Sequence, residues 1–151
     1  MTHEELTAYL SSRYPAAEIS QGKQFVEITV AASDLHSVAA QLKEAKEAAF
    51  DYMVCLSGVD YPDHIKVVYH LESTSLKHLL VLKVKTDGRE NPVLDTLSDI
   101  WPTAEFHERE VYDLLGVKFN NHPDLRRLFL DDTWGFPLRK DYVDDVHIVS
   151  R

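Results

Sequence analysis

Apolar and polar residues alternate with two different periods along the first 116 residues, and each period predicts one kind of element. The three- and four-residue spacing of an amphipathic helix covers residues 2–14 and 33–49. Alternating or largely apolar runs, which are typical of strands, lie at 24–30, 51–57, 65–71 and 76–85. The pattern therefore predicts two helices and a strand-rich middle.

Residues that begin and end helices support these boundaries. Thr2 and Glu5 have the spacing of a capping box, and Pro15 ends the first helix. Ser33 is predicted to cap the second helix, which would extend to about Ala49.

Two further helices are predicted before residue 117. Asn91 and Pro92 have the order of a cap and a first-turn proline, and they predict a short helix that ends before Trp101. Thr103 would cap a longer helix, for which Gly116 is the natural residue after the last turn. With helices on both sides of the strands, we expect an α+β fold, a mainly antiparallel sheet with helices packed on it.

The periodicity stops after Gly116. We therefore predict an α+β domain at 1–116, followed at 117–151 by a signature loop and an extended C-terminal arm, here called the arm. The arm has no convincing helical or strand period, yet it contains Phe119, Leu125, Leu128, Phe129, Leu130, Trp134, Phe136 and Leu138. Because a segment this apolar needs a surface to cover it, we expect part of that surface to belong to another protein.

Charge and composition exclude several classes of function. The net charge of −9 argues against nucleic acid as a partner, because that interaction depends on clustered lysine and arginine. Cys55 is the only cysteine, so the chain cannot supply the four thiolates of an iron–sulfur cluster. No apolar run approaches the roughly 20 residues of a membrane span. The five glycines are isolated, so no phosphate-binding loop can be built from them.

One block of residues narrows the function further. It runs from Glu108 to Leu128, with fixed positions at Glu108, Arg109, Glu110, Asp113, Leu114, Leu115, His122, Arg126 and Leu128. This spacing resembles the signature of the 30-kDa (C) subunit of proton-translocating NADH–quinone oxidoreductase (respiratory complex I). Further similar stretches are Trp134-Gly135, Pro137-Leu138-Arg139-Lys140-Asp141-Tyr142, Val59-Asp60-Tyr61-Pro62 and Val68-Tyr69-His70-Leu71.

The resemblance implies a structural subunit of the peripheral arm with no catalytic residue, metal or cofactor of its own. FMN, iron–sulfur clusters and quinone are then expected in neighbouring subunits. It implies docking on the 49-kDa (D) subunit near the quinone site, with iron–sulfur subunits close by. The chain would support electron transfer from NADH to quinone on the cytoplasmic side of the inner membrane, attached to the membrane only through the complex.

The signature helix places its charged residues on a stripe. Arg109 and Asp113 lie four positions apart, which on an ordinary helix is a solvated ion stripe. In the family that the chain resembles, the acids meet arginines in the fold or at the boundary between subunits. We therefore expect Glu110 or Asp113 to pair with Arg126 or Arg127, or with an arginine of the partner.

The arm is rich in aromatic side chains and arginine, the residue types enriched at interface hot spots. We expect Arg139 and Lys140 to reach carboxylates of the partner, and His122 to be a hydrogen-bonding anchor. The full set of predicted partner-binding and signature residues is Glu108, Arg109, Glu110, Asp113, His122, Arg126, Arg127, Trp134, Phe136, Leu138, Arg139, Lys140, Asp141 and Tyr142.

Two other functions remain open. The resemblance extends to the small subunit of membrane-bound hydrogenases, formate hydrogenlyase and ferredoxin- or coenzyme F420-dependent relatives. A metal-dependent hydrolase would use His107, Glu108, Glu110 and His122, but a second histidine four positions after His107 is missing. An acid–base pair of Glu108 and Glu110 is disfavoured, because positions i and i+2 of a helix point about 200° apart.

Overall fold

The structure, a computed structural model, describes residues 1–147. Its fold is built on one five-stranded sheet. Its strands are β1 (Glu18–Gln21), β2 (Val26–Val30), β3 (Tyr52–Asp60), β4 (Ile65–Ser73) and β5 (His78–Lys85). Their order across the sheet is β1-β2-β5-β4-β3. All pairings are antiparallel except that of β2 with β5, which is parallel. The expected α+β fold with a mainly antiparallel sheet is confirmed.

The alternation of β4 determines which face of the sheet is covered. Ile65, Val67, Tyr69 and Leu71 are fully buried, whereas the residues between them are partly exposed. Three helices contribute apolar side chains to the same core: α1 (His3–Arg13), α2 (Leu35–Glu44) and α3 (Ala104–Leu115). None of the helices in residues 1–147 has the length and hydropathy needed to span a bilayer.

The first helix begins as its sequence predicts. Thr2 Oγ1 accepts the N–H of Glu5 at 3.2 Å, and the Glu5 carboxylate accepts the N–H of Thr2 at 2.8 Å. This reciprocal pair is the predicted capping box.

The second helix differs from its prediction at both ends. Ser33 lies inside a short 3-10 turn at Ala32–Asp34 and does not cap α2. The helix ends at Glu44, because the chain then turns inward to bury Ala48 and Phe50. Ala49, between them, has a left-handed backbone (φ 46°), which no α-helix accommodates.

A second sheet has two strands, one before and one after α3 in the chain. Its strands, β6 (Val93–Asp95) and β7 (Lys118–Asn120), run parallel. The short helix predicted from Asn91 is wrong, and so is the expectation that no strand follows residue 117. Each strand has three residues and a single buried side chain, Leu94 or Phe119, so alternation cannot reveal it.

The third helix packs directly against β3. A Cβ at Gly58 would lie 2.4 Å from Leu115 Cδ1 and 3.2 Å from Val111 Cγ1, so only glycine allows this approach. After β7, residues 121–147 form turns without a helix or strand and cross the charged side of α3. Residues 148–151 of the predicted arm lie outside the described residues. The division of the chain at residue 116 stays a prediction.

Candidate docking site on the third helix and the arm

Asp113 is the point at which the arm is attached to α3. Its side chain is fully buried, and Oδ2 accepts the N–H groups of Leu128, Phe129 and Leu130 at 3.3, 2.7 and 3.1 Å. Oδ1 accepts a hydrogen bond from Arg127 Nη1 at 3.1 Å. Burial alone would raise the pKa of Asp113, but these donors outweigh it and hold the pKa below its usual value. The arm therefore encloses an ionised carboxylate in a ring of donors.

Arg127 confirms the expected pairing of an acid on the signature helix with a nearby arginine. Its Nη1 also donates to the carbonyl oxygen of Gly135 at 3.1 Å, and its Nη2 donates to that of Trp134 at 2.6 Å. One guanidinium thus joins α3 to a later turn of the arm. A buried ion pair of this kind fixes geometry more than it adds stability.

The C-terminus of α3 is completed by the arm. The last four carbonyl oxygens of a helix have no partner inside it. In α3 the Gly116 N–H donates to that of Tyr112, and the arm supplies donors for the other three. These are Arg127 Nη1 to Asp113 O (3.2 Å), Leu138 N–H to Leu114 O (3.1 Å) and Arg139 Nε to Leu115 O (2.7 Å). Two of the donors are guanidinium groups, whose positive charge is favourable at a helix C-terminus.

Phe136 lies between these two arginines. Its ring centroid is 5.3 Å from Arg127 Cζ and 5.1 Å from Arg139 Cζ, within the range of cation–π contacts. A Cβ at Gly116 would lie 2.7 Å from the Phe136 ring, and Gly116 also has a left-handed backbone (φ 80°). Glycine is therefore required there both by the helix end and by the aromatic ring above it.

A second attachment holds the arm near residue 141. Arg89 donates from Nε and Nη2 to the two carboxylate oxygens of Asp60, each at 2.9 Å. The same guanidinium donates to Asp141 at 2.9 and 3.2 Å, and the Lys140 N–H donates to Asp60 at 2.9 Å. Burial would raise the pKa of Asp60, but the Lys140 N–H and Arg89 lower it below its usual value.

Asp60 and Arg89 are the site residues that the sequence did not reveal. Asp60 ends β3 inside a stretch similar to the family, which was the one available signal. Arg89 follows β5 in a turn and carries no motif. Its role depends on the fold, which brings residues 60, 89 and 141 together.

Glu108 is the second buried carboxylate of α3. Its Oε1 accepts the Leu97 N–H at 2.7 Å, and its Oε2 lies 2.6 Å from Thr96 Oγ1. Burial raises the pKa of Glu108 to about 7, because the two hydrogen bonds offset only part of the lost hydration.

His122 is a hydrogen-bonding anchor, as expected. Its Nδ1 accepts the Asp124 N–H at 3.0 Å, which leaves the ring proton on Nε2. Nε2 donates to the carbonyl oxygen of Glu105 at 2.8 Å, whereas Glu108 Oε2 is 3.8 Å away. His122 therefore joins the start of the arm to the first turn of α3.

The other charged signature residues differ in burial. Arg109 is only 5% exposed, because the arm covers it, so the solvated stripe of an ordinary helix does not form at this position. Its Nε and Nη2 donate to the carbonyl oxygens of Arg126 and Arg127 at 3.1 and 2.8 Å. Arg126 pairs at the surface with Asp124. Glu110 is exposed and makes no side-chain hydrogen bond or ion pair within residues 1–147.

The arm leaves several apolar side chains uncovered. Phe129 is 68% and Leu138 is 59% exposed. Trp134 is half-buried, with its ring 4.1 Å from that of His147, and the Tyr142 hydroxyl donates to Asp144. Phe129 and Leu138 are therefore exposed on a segment whose backbone is held by hydrogen bonds to α3.

The geometry gives no support to a metal-dependent hydrolase. Among residues 1–147, no three histidine, cysteine or carboxylate side chains are placed to hold a metal ion. Glu108 is buried whereas Glu110 is exposed, so the two do not face a common centre.

Comparison with known proteins identifies the family. Residues 28–146 match the family described as respiratory-chain NADH dehydrogenase, 30 Kd subunit. The chain is 39% identical over 136 residues to the NADH-quinone oxidoreductase C subunit of Moorella thermoacetica, which covers 88% of this chain and 90% of that protein. The chain therefore belongs to the 30-kDa subunit family, as its signature residues indicated.

Some relatives are much longer proteins. The chain is 45% identical over 122 residues to the NADH-quinone oxidoreductase C/D subunit of Phocaeicola vulgatus, covering 80% of this chain and 23% of that protein. It is 46% identical over 109 residues to the C subunit of Chloroherpeton thalassium, covering 70% of this chain and 45% of that protein. The chain thus spans less than half the length of these two relatives.

Two solved structures share the fold. One is a chain of the membrane-bound sulfane sulfur reductase, an archaeal respiratory membrane complex, with a TM-score of 0.81 at 27% identity over 97% of this chain and 88% of that one. The other is the trypsin-resistant fragment of Nqo5, with a TM-score of 0.68 at 28% identity over 83% of this chain and 100% of that one.

Proposed function

We propose that this chain is a non-catalytic structural subunit of the peripheral arm of a proton-translocating NADH–quinone oxidoreductase. It docks on the 49-kDa subunit near the quinone site and supports electron transfer from NADH to quinone without a cofactor of its own. FMN, iron–sulfur clusters and quinone belong to neighbouring subunits, and the chain reaches the membrane only through the complex.

The observation that carries this proposal is the contrast between backbone and side chains in the arm. Its backbone is held at Asp113, at the end of α3 and at Asp60, yet Phe129 and Leu138 remain 68% and 59% exposed. Aromatic and aliphatic side chains held in place before binding lose little entropy on association. They are the natural centre of an interface.

The longer relatives support the 49-kDa (D) subunit as the partner, because some of them are single chains named for both C and D. In the protein of Phocaeicola vulgatus, the matched stretch is 23% of a chain whose name joins C with D. A covalent link between two such subunits is expected when they act side by side.

The second candidate is the equivalent subunit of another respiratory membrane complex. It is favoured by the likeness to the sulfane sulfur reductase chain, which extends over 97% of this chain with a TM-score of 0.81. The same arm would then dock on a partner subunit of that other complex.

Replacement of the exposed apolar side chains tests the docking role. We would purify the tagged full-length chain from native membranes and identify its partners by mass spectrometry, with and without Phe129→Ala and Leu138→Ala. Hot-spot residues each contribute about 2 kcal/mol or more, so the double variant should lose most of the recovered 49-kDa subunit. Recovery of NADH-binding subunits with the wild type would separate complex I from the second candidate.

Leu76→Ala is the matched control, because Leu76 is 42% exposed in the turn between β4 and β5. It should leave recovery of the 49-kDa subunit unchanged. If the double variant recovers as much of that partner as Leu76→Ala does, the docking role of the arm is wrong.

A further inference from the structure

We propose that the Arg109 guanidinium is a receiving site for one carboxylate of the docking partner, with the ring of Phe106 as its apolar wall. The inference rests on the proposed function and deepens it, because it assigns a particular chemistry to one point of the interface. That point is on α3 and not among the exposed apolar side chains of the arm.

The first observation is a buried cation without a counter-charge. Arg109 is 5% exposed, and none of the ion pairs among the described residues includes it. Its two hydrogen bonds go to backbone carbonyl oxygens, which carry no net charge. A guanidinium withdrawn from water this far is normally paired with an acid.

None of the neighbouring acids that the structure describes forms an ion pair with Arg109, including Glu105, which lies one turn before it on the helix. Asp113, one turn along the helix, is saturated by Arg127 and three backbone N–H groups. Asp124 is near enough for Arg109 to help lower its pKa, but it pairs with Arg126. Glu108 binds Thr96 and the Leu97 N–H instead. No acid among residues 1–147 therefore supplies the counter-charge of Arg109, which leaves this position open to a carboxylate of the partner.

The third nitrogen of the guanidinium is left for that ligand. Nε and Nη2 are held by the carbonyl oxygens of Arg126 and Arg127, which fix the plane of the group. Nη1 has no acceptor in the described part of the chain, and it is not closed off from solvent. Because the donor is already oriented, a carboxylate that reaches Nη1 gains a charge-assisted hydrogen bond with little further ordering.

The surroundings point to a protein side chain as the source of the carboxylate. Phe106 is 57% exposed, and its ring centroid lies 5.6 Å from Arg109 Cζ. A desolvated guanidinium beside an exposed aromatic ring matches an aspartate or glutamate that is itself set in apolar surface. The chain's net charge of −9 makes a phosphate polymer an unsuitable ligand.

The first test measures affinity between the full-length chain and a subcomplex that contains the 49-kDa subunit, at low and at high salt. Arg109→Gln should weaken binding by tenfold or more and reduce the salt dependence, because one charge pair is lost. Arg13→Gln is the matched control, since Arg13 is exposed at the end of α1 and is not among the predicted partner-binding residues. It should change binding by less than about twofold.

The second test detects the carboxylate directly. In the complex of the full-length Arg109→Lys variant, a water-soluble carbodiimide should join the introduced amine to an aspartate or glutamate of the 49-kDa subunit. Peptide mass spectrometry would identify that amide. The inference would be overturned if the amine introduced at position 109 formed amides only with acids of its own chain, such as Glu105 or Asp124. It would also be overturned if residue 109 formed no amide at all in complexes whose subunits are cross-linked at other positions.

The outcomes separate the inference from the proposed function. If the wild-type chain does not bind the 49-kDa subunit, the proposed function fails. If the wild type binds and Arg109→Gln binds as tightly, or more weakly with an unchanged salt dependence, the carboxylate site alone is wrong. In the last case Arg109 acts only by holding the carbonyl oxygens of Arg126 and Arg127.

Discussion

At the scale of single residues, α3 carries two fully buried carboxyl groups whose pKa values are shifted in opposite directions. Asp113 accepts four hydrogen bonds to its side chain, one of them from a guanidinium, and stays ionised with a lowered pKa. Glu108 has two neutral hydrogen-bond partners, and burial raises its pKa to about 7. The number of donors around a buried acid therefore decides its charge near neutral pH.

The raised pKa of Glu108 predicts that stability falls as pH rises through the weakly acidic range. The unfolded chain releases this proton near pH 4.5, whereas the folded chain keeps it until about pH 7. The folded state binds more protons in that window, so the free energy of unfolding should fall by on the order of 3 kcal/mol from the lower to the upper limit. Glu108→Gln, which resembles the protonated acid, should lack this fall when urea unfolding is measured at several pH values. An unchanged pH profile would contradict the raised pKa.

Asp113 should show the reverse behaviour. Its folded pKa is lowered, so its stabilisation is present above the unfolded value of 3.8 and is lost as pH falls through the lower folded value. Asp113→Asn leaves Arg127 unpaired and should cost about 3–5 kcal/mol of unfolding free energy at neutral pH. Glu110→Gln, on the exposed side of the same helix, is the control and should change stability by less than about 0.5 kcal/mol. Equal effects of the two variants in urea unfolding would show that the arm does not depend on Asp113.

At the scale of elements, local sequence signals were sufficient to predict most of the helices and strands. The capping box at Thr2, the alternation of β4 and the glycine after α3 each determine structure through neighbours in sequence. The sequence could not show β6 and β7, because three-residue strands have no period of their own. Nor could it show that Arg109 is buried, because the segment that covers this residue has no repeating pattern.

The end of α3 offers a prediction at this scale. Gly116 and Gly88 both have left-handed backbones, with φ of 80° and 78°, but a Cβ at Gly88 meets nothing within 4 Å. Gly88→Ala should therefore cost about 1 kcal/mol from backbone strain alone. Gly116→Ala should cost more, by roughly 1–3 kcal/mol, because its methyl group meets both the Phe136 ring and the Arg139 guanidinium. Thermal unfolding checks both variants. In a Phe136→Ala background the difference should become smaller, because only the contact with Arg139 remains. Equal losses for the two glycine variants in the wild-type background would contradict the packing of the ring on the helix end.

At the scale of the whole molecule, the arm is held at two points, residues 128–130 by Asp113 on α3 and Asp141 by Arg89 after β5. The core extends into the start of the arm, where Val117 and Phe119 are buried and the partly buried Leu125 packs against the core. We therefore expect the core to be complete before the chain reaches Leu128.

Truncation after Leu128 tests this arrangement. The core should still fold, but with lower thermal stability, because the carbonyl oxygens of Leu114 and Leu115 lose their donors from the arm. Circular dichroism should show native strand content with a frayed last turn of α3, and recovery of the 49-kDa subunit should be lost. A truncated chain that assembles normally would refute the docking role, and one that cannot fold would show that the arm belongs to the core.

The parallel pairing of β2 with β5 has a consequence for the order in which the chain folds. β3, β4 and β5 follow one another through short turns, whereas Val26 pairs with Leu80 across most of the sheet-forming sequence. Here β3, β4 and β5 form an antiparallel meander. Closing the long loop between β2 and β5 before the meander has formed would cost conformational entropy that no strand pairing yet offsets. The meander is therefore the expected nucleus. During synthesis, β2 must keep an open edge until β5 has emerged, so the first half of this chain is the part that most needs protection from unwanted strand pairing.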